Sequence, residues 1–139
     1  MKASRTPLAA SAPPGRPAEL SSPVLACVDV RVRAFTAEAV NTMGPVLAEL
    51  GFTGPEILRS PRPYPVNVTL RYRRETTVVE TTLALGYGGQ EHVYTTVAPA
   101  TGAARGTEVG RGTAHTGPRI RRALDHQSRV TRAFLMARR

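Results

Sequence analysis

The sequence predicts an α+β fold: a four-stranded, mainly antiparallel sheet with two helices on one face, in the order β-α-β-β-β-α. Three observations lead there. Residues 66–97 hold three consecutive runs in which apolar and polar residues alternate with a period of two. Two stretches, one after Thr36 and one from Pro118, repeat apolar residues at steps of three and four. A further alternating run, Val24 to Phe35, precedes the first of them.

In chain order, residues 1–23 are rich in Ala, Ser and Pro without periodicity, and such a composition buries too little apolar surface to offset the entropy of ordering. They read as a basic arm, disordered or held by a partner, ahead of a single α+β domain over residues 24–139. The arm has no apolar h-region; its Arg, Ser and Ala content resembles an organellar transit peptide. In the strand expected over Val24 to Phe35, Ala26, Val28, Val30 and Val32 share one face, with Asp29, Arg31 and Arg33 on the other. Cys27 reads as a small strand residue, since nothing in the sequence sets a base beside it.

Thr36 is placed as an N-cap, with Phe35 and Val40 spaced as a hydrophobic staple. Val40, Met43, Leu47 and Leu50 then form the apolar stripe of a helix that Gly51-Phe52 stops. Pro45 inside it predicts a kink or two short pieces, because an interior proline costs about 3 kcal/mol in a regular helix. The opening Val28 to Phe35 and the helix after it resemble the start of a small-subunit ribosomal protein with a split βαβ fold. The likeness ends where three strands follow one another.

Pro55, Pro61, Pro63 and Pro65 predict a stiff extended connection without ladder hydrogen bonds over 53–65. The strands come next. Val66, Val68, Leu70 and Tyr72 share a face, as do Val79, Thr81, Leu83 and Leu85, and then Val93, Thr95 and Val97. Gly86-Tyr87-Gly88-Gly89-Gln90 has the glycines a hairpin loop needs, whereas the turn around Arg74-Glu75 has none. Pro99 to Gly117 reads as a flexible loop with a near-repeat, Arg105-Gly106-Thr107 and Arg111-Gly112-Thr113, that a polyanion could order; the phosphate-loop spacing of glycine to lysine is absent. The last helix runs from Pro118 to about Ala137. Ile120, Leu124, Thr131 and Phe134 form its apolar stripe, filled by Ala123 and Gln127, and Arg121, Arg122, Arg129, Arg132 and Arg139 gather opposite with Asp125 among them.

Composition narrows the function. At 139 residues and 41% hydrophobic, the chain is about one domain's worth. No run approaches the roughly 18 apolar residues of a membrane span. Its one cysteine forms no internal disulfide, so a reducing compartment is expected, cytoplasmic, or an organellar matrix if the arm targets. The net charge of +9 sits at the ends: +2 over residues 1–23 and +6 over 118–139, which leaves +1 between them. A near-neutral body with basic ends points to an anionic partner.

The expected function is therefore a non-catalytic, basic structural or binding subunit of a ribonucleoprotein, ribosome-like, or of another polyanionic assembly, with RNA or another polyanion as partner. Arg121, Arg122, Arg129 and Arg132 of the helix, with Arg105 and Arg111 of the glycine-rich loop, are the expected phosphate-binding groups. Tyr87, Tyr94, Arg31 and Arg71 make a thin platform for single-stranded RNA. One alternative is a protein-binding module that takes an acidic or extended partner chain, for example at a sheet edge. Another is a small-molecule enzyme using the sheet face around Glu80, His92 and Tyr94. His92, His115 and His126 share no short spacing, so neither a metal nor a cofactor is expected.

Overall fold

The computed structural model describes residues 22–62, 65–86, 90–101 and 106–138. The fold is α+β, and it departs from the expected order at its start. The elements are α1 (Ser22–Glu49), β1 (Thr53–Arg59), β2 (Val66–Arg74), β3 (Thr77–Leu85), β4 (Glu91–Pro99), β5 (Thr107–Thr113) and α2 (Gly117–Ala137). The sheet has five strands rather than four, all antiparallel, paired in sequence order from β1 to β5. Both helices lie on one face of it and share a single core with the inner side chains of the strands. The expected arm over 1–23 lies outside the described residues, apart from Ser22 and Pro23 at the start of α1.

The expected strand Val24 to Phe35 is helix. Val28, Val32, Phe35, Ala39, Met43, Leu47 and Leu50 are buried at steps of three and four, a stripe that continues unbroken across the supposed strand-to-helix boundary. Val30, which completed the period-two pattern, is 55% exposed. Thr36 is no N-cap; its hydroxyl donates to the Val32 carbonyl at 2.8 Å, one turn back inside the helix. The resemblance to a ribosomal strand and helix lapses with the strand. Pro45 does not divide α1 either. It and Asn41 lie on the exposed side, where water can take the carbonyl that proline leaves without a donor.

The helix stops as its sequence expects. Gly51 has φ +90, its N–H reaches the Ala48 carbonyl at 3.0 Å, and the Phe52 N–H reaches Leu47 at 2.9 Å. Those two bonds make a Schellman motif, with Phe52 buried behind it. The proline-rich connection then corrects to a strand. Thr53–Arg59 pairs with β2 through an irregularity between Thr53 and Glu56, and Pro55 is tolerated because an edge strand has one side with no ladder partner.

The three central strands follow the expected alternation. Val66, Val68 and Leu70, then Val79, Thr81 and Leu83, then Val93 and Thr95 are at most 1% exposed on the inner face. The glycine-free turn is a two-residue loop, Glu75-Thr76, between paired Arg74 and Thr77, with Glu75 at φ +40. Between β3 and β4 the Gly86 N–H donates to Gln90 at 2.8 Å; residues 87–89 lie outside the described set.

The expected flexible loop holds β5. Two of its glycines serve close packing: a Cβ on Gly110 would stand 2.8 Å from Gln127 Cγ, and one on Gly112 would stand 2.7 Å from Ala123 Cβ. Glycine at these two inner positions lets α2 lie directly on the backbone of β5. Thr116 caps α2, accepting from the Arg119 N–H at 3.2 Å, with Pro118 in the first turn. Ile120, Leu124, Gln127, Ser128, Thr131 and Leu135 form its buried stripe. Gln127 is fully buried, donates to the Val93 carbonyl at 2.9 Å and accepts from Thr95 at 2.7 Å.

Candidate functional site

The charged face of α2 divides into two halves. Along its second half the arginines are already partnered. Arg129 pairs with Asp125 one turn back, Arg132 reaches Glu49 of α1 at 3.3 Å, and Arg138 covers the Phe134 ring at 5.2 Å. Arg111 on β5 is held by Glu108 through bonds of 2.7 and 3.0 Å, with its guanidinium 4.7 Å above the Tyr94 ring. The hydrogen bond from Arg111 holds the Glu108 pKa below the ordinary carboxylate value. Exposed ion pairs of this kind contribute little stability, but each presents nearly zero net charge to an incoming anion.

The first half is different. Arg121 and Arg122 were expected here, and Arg119 joins them; all three are exposed and none is in an ion pair among the described residues. Arg121 folds back over the helix start, its Nη1 3.7 Å from where a Gly117 Cβ would lie. Arg119 and Arg122 line a shallow depression of about 170 Å³ with His126, Ala123, Gly112 and Thr113. The first turn carries no acidic residue. So of the six arginines expected to bind phosphate, the structure leaves Arg121 and Arg122 open, neutralises Arg111, Arg129 and Arg132, and places Arg105 outside the described residues. Arg119 was not among the expected groups, although it lies three residues before Arg122 and so beside it on the helix surface; that spacing was the available signal.

The sheet's outer face does not assemble the other candidates. Glu80 lies opposite Thr96, Tyr94 opposite Thr82 and His92 opposite Ala84, so Glu80 and His92 are four residue levels apart, about 13 Å along the strands. Glu80 is bound by Arg71 at 2.6 Å, and Arg71 also reaches Glu56 at 3.6 Å. Tyr94 lies under the Arg111 guanidinium, and Tyr87 is outside the described residues.

One cluster was not legible in sequence. Arg31 of α1 makes a two-bond contact with Glu91 at the start of β4, at 2.9 and 3.0 Å, and also donates to the Ala114 carbonyl. His115 Nδ1 lies 2.8 Å from the same carboxylate. The cluster joins α1, the sheet and the β5–α2 connection at one end of the molecule. The Arg31 hydrogen bonds hold the Glu91 pKa below the ordinary carboxylate value, with a smaller contribution from His115. A depressed carboxylate contributes stability above its unfolded pKa, lost as pH falls through the folded one. Glu91→Gln should therefore lower stability by about 1–2 kcal/mol at pH 7. It should also shrink the loss of melting temperature below pH 4.5, the ordinary value, measured by thermal denaturation across that range. An unchanged acid limb in the variant would show that Glu91 does not govern it.

Among the described residues no three potential ligands form a metal-binding group, and no helix is long and apolar enough to cross a membrane. Cys27 is an exposed residue of α1. The chain matches no protein-family model, no curated protein and no solved structure.

Proposed function

We propose that this protein is a non-catalytic polyanion-binding subunit, of a ribonucleoprotein or a comparable assembly, that meets its partner with the first two turns of α2. One observation supports this reading above the others: Arg119, Arg121 and Arg122 crowd the positive end of a helix with no carboxylate in its first turn. A cation there is unfavourable by about 0.3–1 kcal/mol, through the helix dipole, and three together repel one another. A chain of phosphates reverses the sign of both effects. The arginine forks supply the paired N–H donors that phosphate oxygens accept.

The reading makes stability and binding move in opposite directions. Replacing Arg119, Arg121 and Arg122 together with Gln should raise the melting temperature by a few degrees in low salt, because Gln keeps helix propensity and removes the repulsion. The same variant should bind single-stranded RNA at least tenfold more weakly. The slope of log affinity against log salt should become shallower by about two to three units, measured by fluorescence anisotropy. Unchanged affinity at matched ionic strength would mean that these arginines are merely solvated. A quadruple change at Arg111, Arg129, Arg132 and Arg138 should have the smaller effect, since those groups are neutralised or stacked.

A further inference from the structure

The sheet ends at β5, and among the described residues no strand pairs with its outer side. The direction of its backbone groups follows from the ladder. The Ala114 N–H donates inward to Glu91 at 3.0 Å, so along this antiparallel register Gly112 and Gly110 also direct their amides toward β4. Arg111 and Thr113, between them, direct N–H and C=O outward. From Gly110 to Thr113 the pairing with β4 is regular, the irregularity lying between Thr95 and Thr96. The opposite edge is less suited to pairing, because β1 carries Pro55 and an irregularity beside it.

What stands over the β5 edge selects the occupant. Gly110 and Gly112 bring α2 onto the strand, and Arg119, Arg122 and His126 line the depression beside Gly112 and Thr113. A strand added outside β5 would alternate its side chains between this basic side and the outer face. A second copy of this chain would bring like charges together across the pair.

We infer that the Gly110–Thr113 edge of β5 takes an extended acidic segment of a partner protein as an added strand, with alternate carboxylates against Arg119 and Arg122. Backbone bonds from Arg111 and Thr113 supply the pairing and the arginines supply the choice of sequence. The inference shares Arg119 and Arg122 with the polyanion reading but adds a requirement for backbone hydrogen bonding that nucleic acid does not have.

The test uses the full chain and labelled eight-residue peptides alternating Glu and Thr. Two further versions carry N-methyl groups on one or the other alternate set of amides. The expected result is binding of the parent peptide, a loss of tenfold or more for one methylated version, and near-parent affinity for the other. Thr113→Pro, which removes an outward N–H, should weaken the parent peptide by a similar factor while the melting curve stays cooperative. Equal affinity of the two methylated peptides overturns the edge assignment whatever Thr113→Pro does. Single-stranded RNA serves as a parallel probe. If RNA binds and no peptide does, this inference fails and the polyanion reading stands; if the peptides bind with the amide dependence and RNA does not, the reverse holds.

Discussion

Gly112→Val is expected to destabilise the protein by more than 3 kcal/mol, read as a fall in the denaturant midpoint, because the first added carbon already stands 2.7 Å from Ala123 Cβ. Neither neighbour can yield cheaply. Gly112 is held in register against Val93, and Ala123 belongs to a helix fixed by Ile120, Leu124 and Gln127. The milder Gly112→Ala should cost about 1–3 kcal/mol, and combining it with Ala123→Gly should recover a good part of that. Recovery will be incomplete, since glycine within a helix costs about 1 kcal/mol relative to alanine. If Gly112→Ala leaves the midpoint unchanged, α2 does not sit on β5 as described, and the depression beside Thr113 loses its wall.

Gln127→Leu should be nearly as damaging, at about 2–4 kcal/mol, for a different reason. Thr95 donates to Gln127 at 2.7 Å, so its hydroxyl proton is taken and Thr81, 2.9 Å away, must donate to Thr95. Gln127 in turn donates to the Val93 carbonyl at 2.9 Å. All three side chains are fully buried, so a leucine at 127 leaves the Thr95 hydroxyl proton without its acceptor and the Val93 carbonyl with one of its two donors gone, in a dry core. Adding Thr95→Val and Thr81→Val should recover stability relative to Gln127→Leu alone, because the hydroxyls that needed partners are gone. A triple variant less stable than the single one would sink this account of the chain.

These two positions also show why parts of the molecule were hidden in the sequence. The three central strands were legible because one face is core and the other is not, so burial writes a period of two directly into residue type. Gly110 and Gly112 write nothing of the kind: a strand position that must lack a side chain looks the same as a flexible loop until the helix above it is known. β1 was hidden by its prolines, which an edge strand accommodates and a central one would not. Val24 to Phe35 was misread because Val28 and Val32 fit both periods while Val30 fits only the period of two, and the continuation through Phe35, Ala39 and Met43 is what selects the helix. That continuation was present in the sequence. The candidate site was legible in type but not in extent: the arginines of the last helix and of the stretch before it were evident, while Glu49 of α1 neutralises Arg132 and Glu108 neutralises Arg111 on β5, pairings that a helix projection does not contain.

The order of elements has a consequence for synthesis of the protein. Every strand neighbours the one made just before it, so the sheet can zip up hairpin by hairpin as the chain leaves the ribosome. Its cover arrives in two instalments. α1 precedes the strands and packs on β1, β2 and β3, whereas α2, which covers β4 and β5, is translated after both. Until α2 docks, Val93, Thr95 and Val97 lie bare on their part of the sheet face, with the Thr81–Thr95 hydroxyl pair open to water. Docking of α2 is thus the step that converts an adhesive intermediate into a sealed fold.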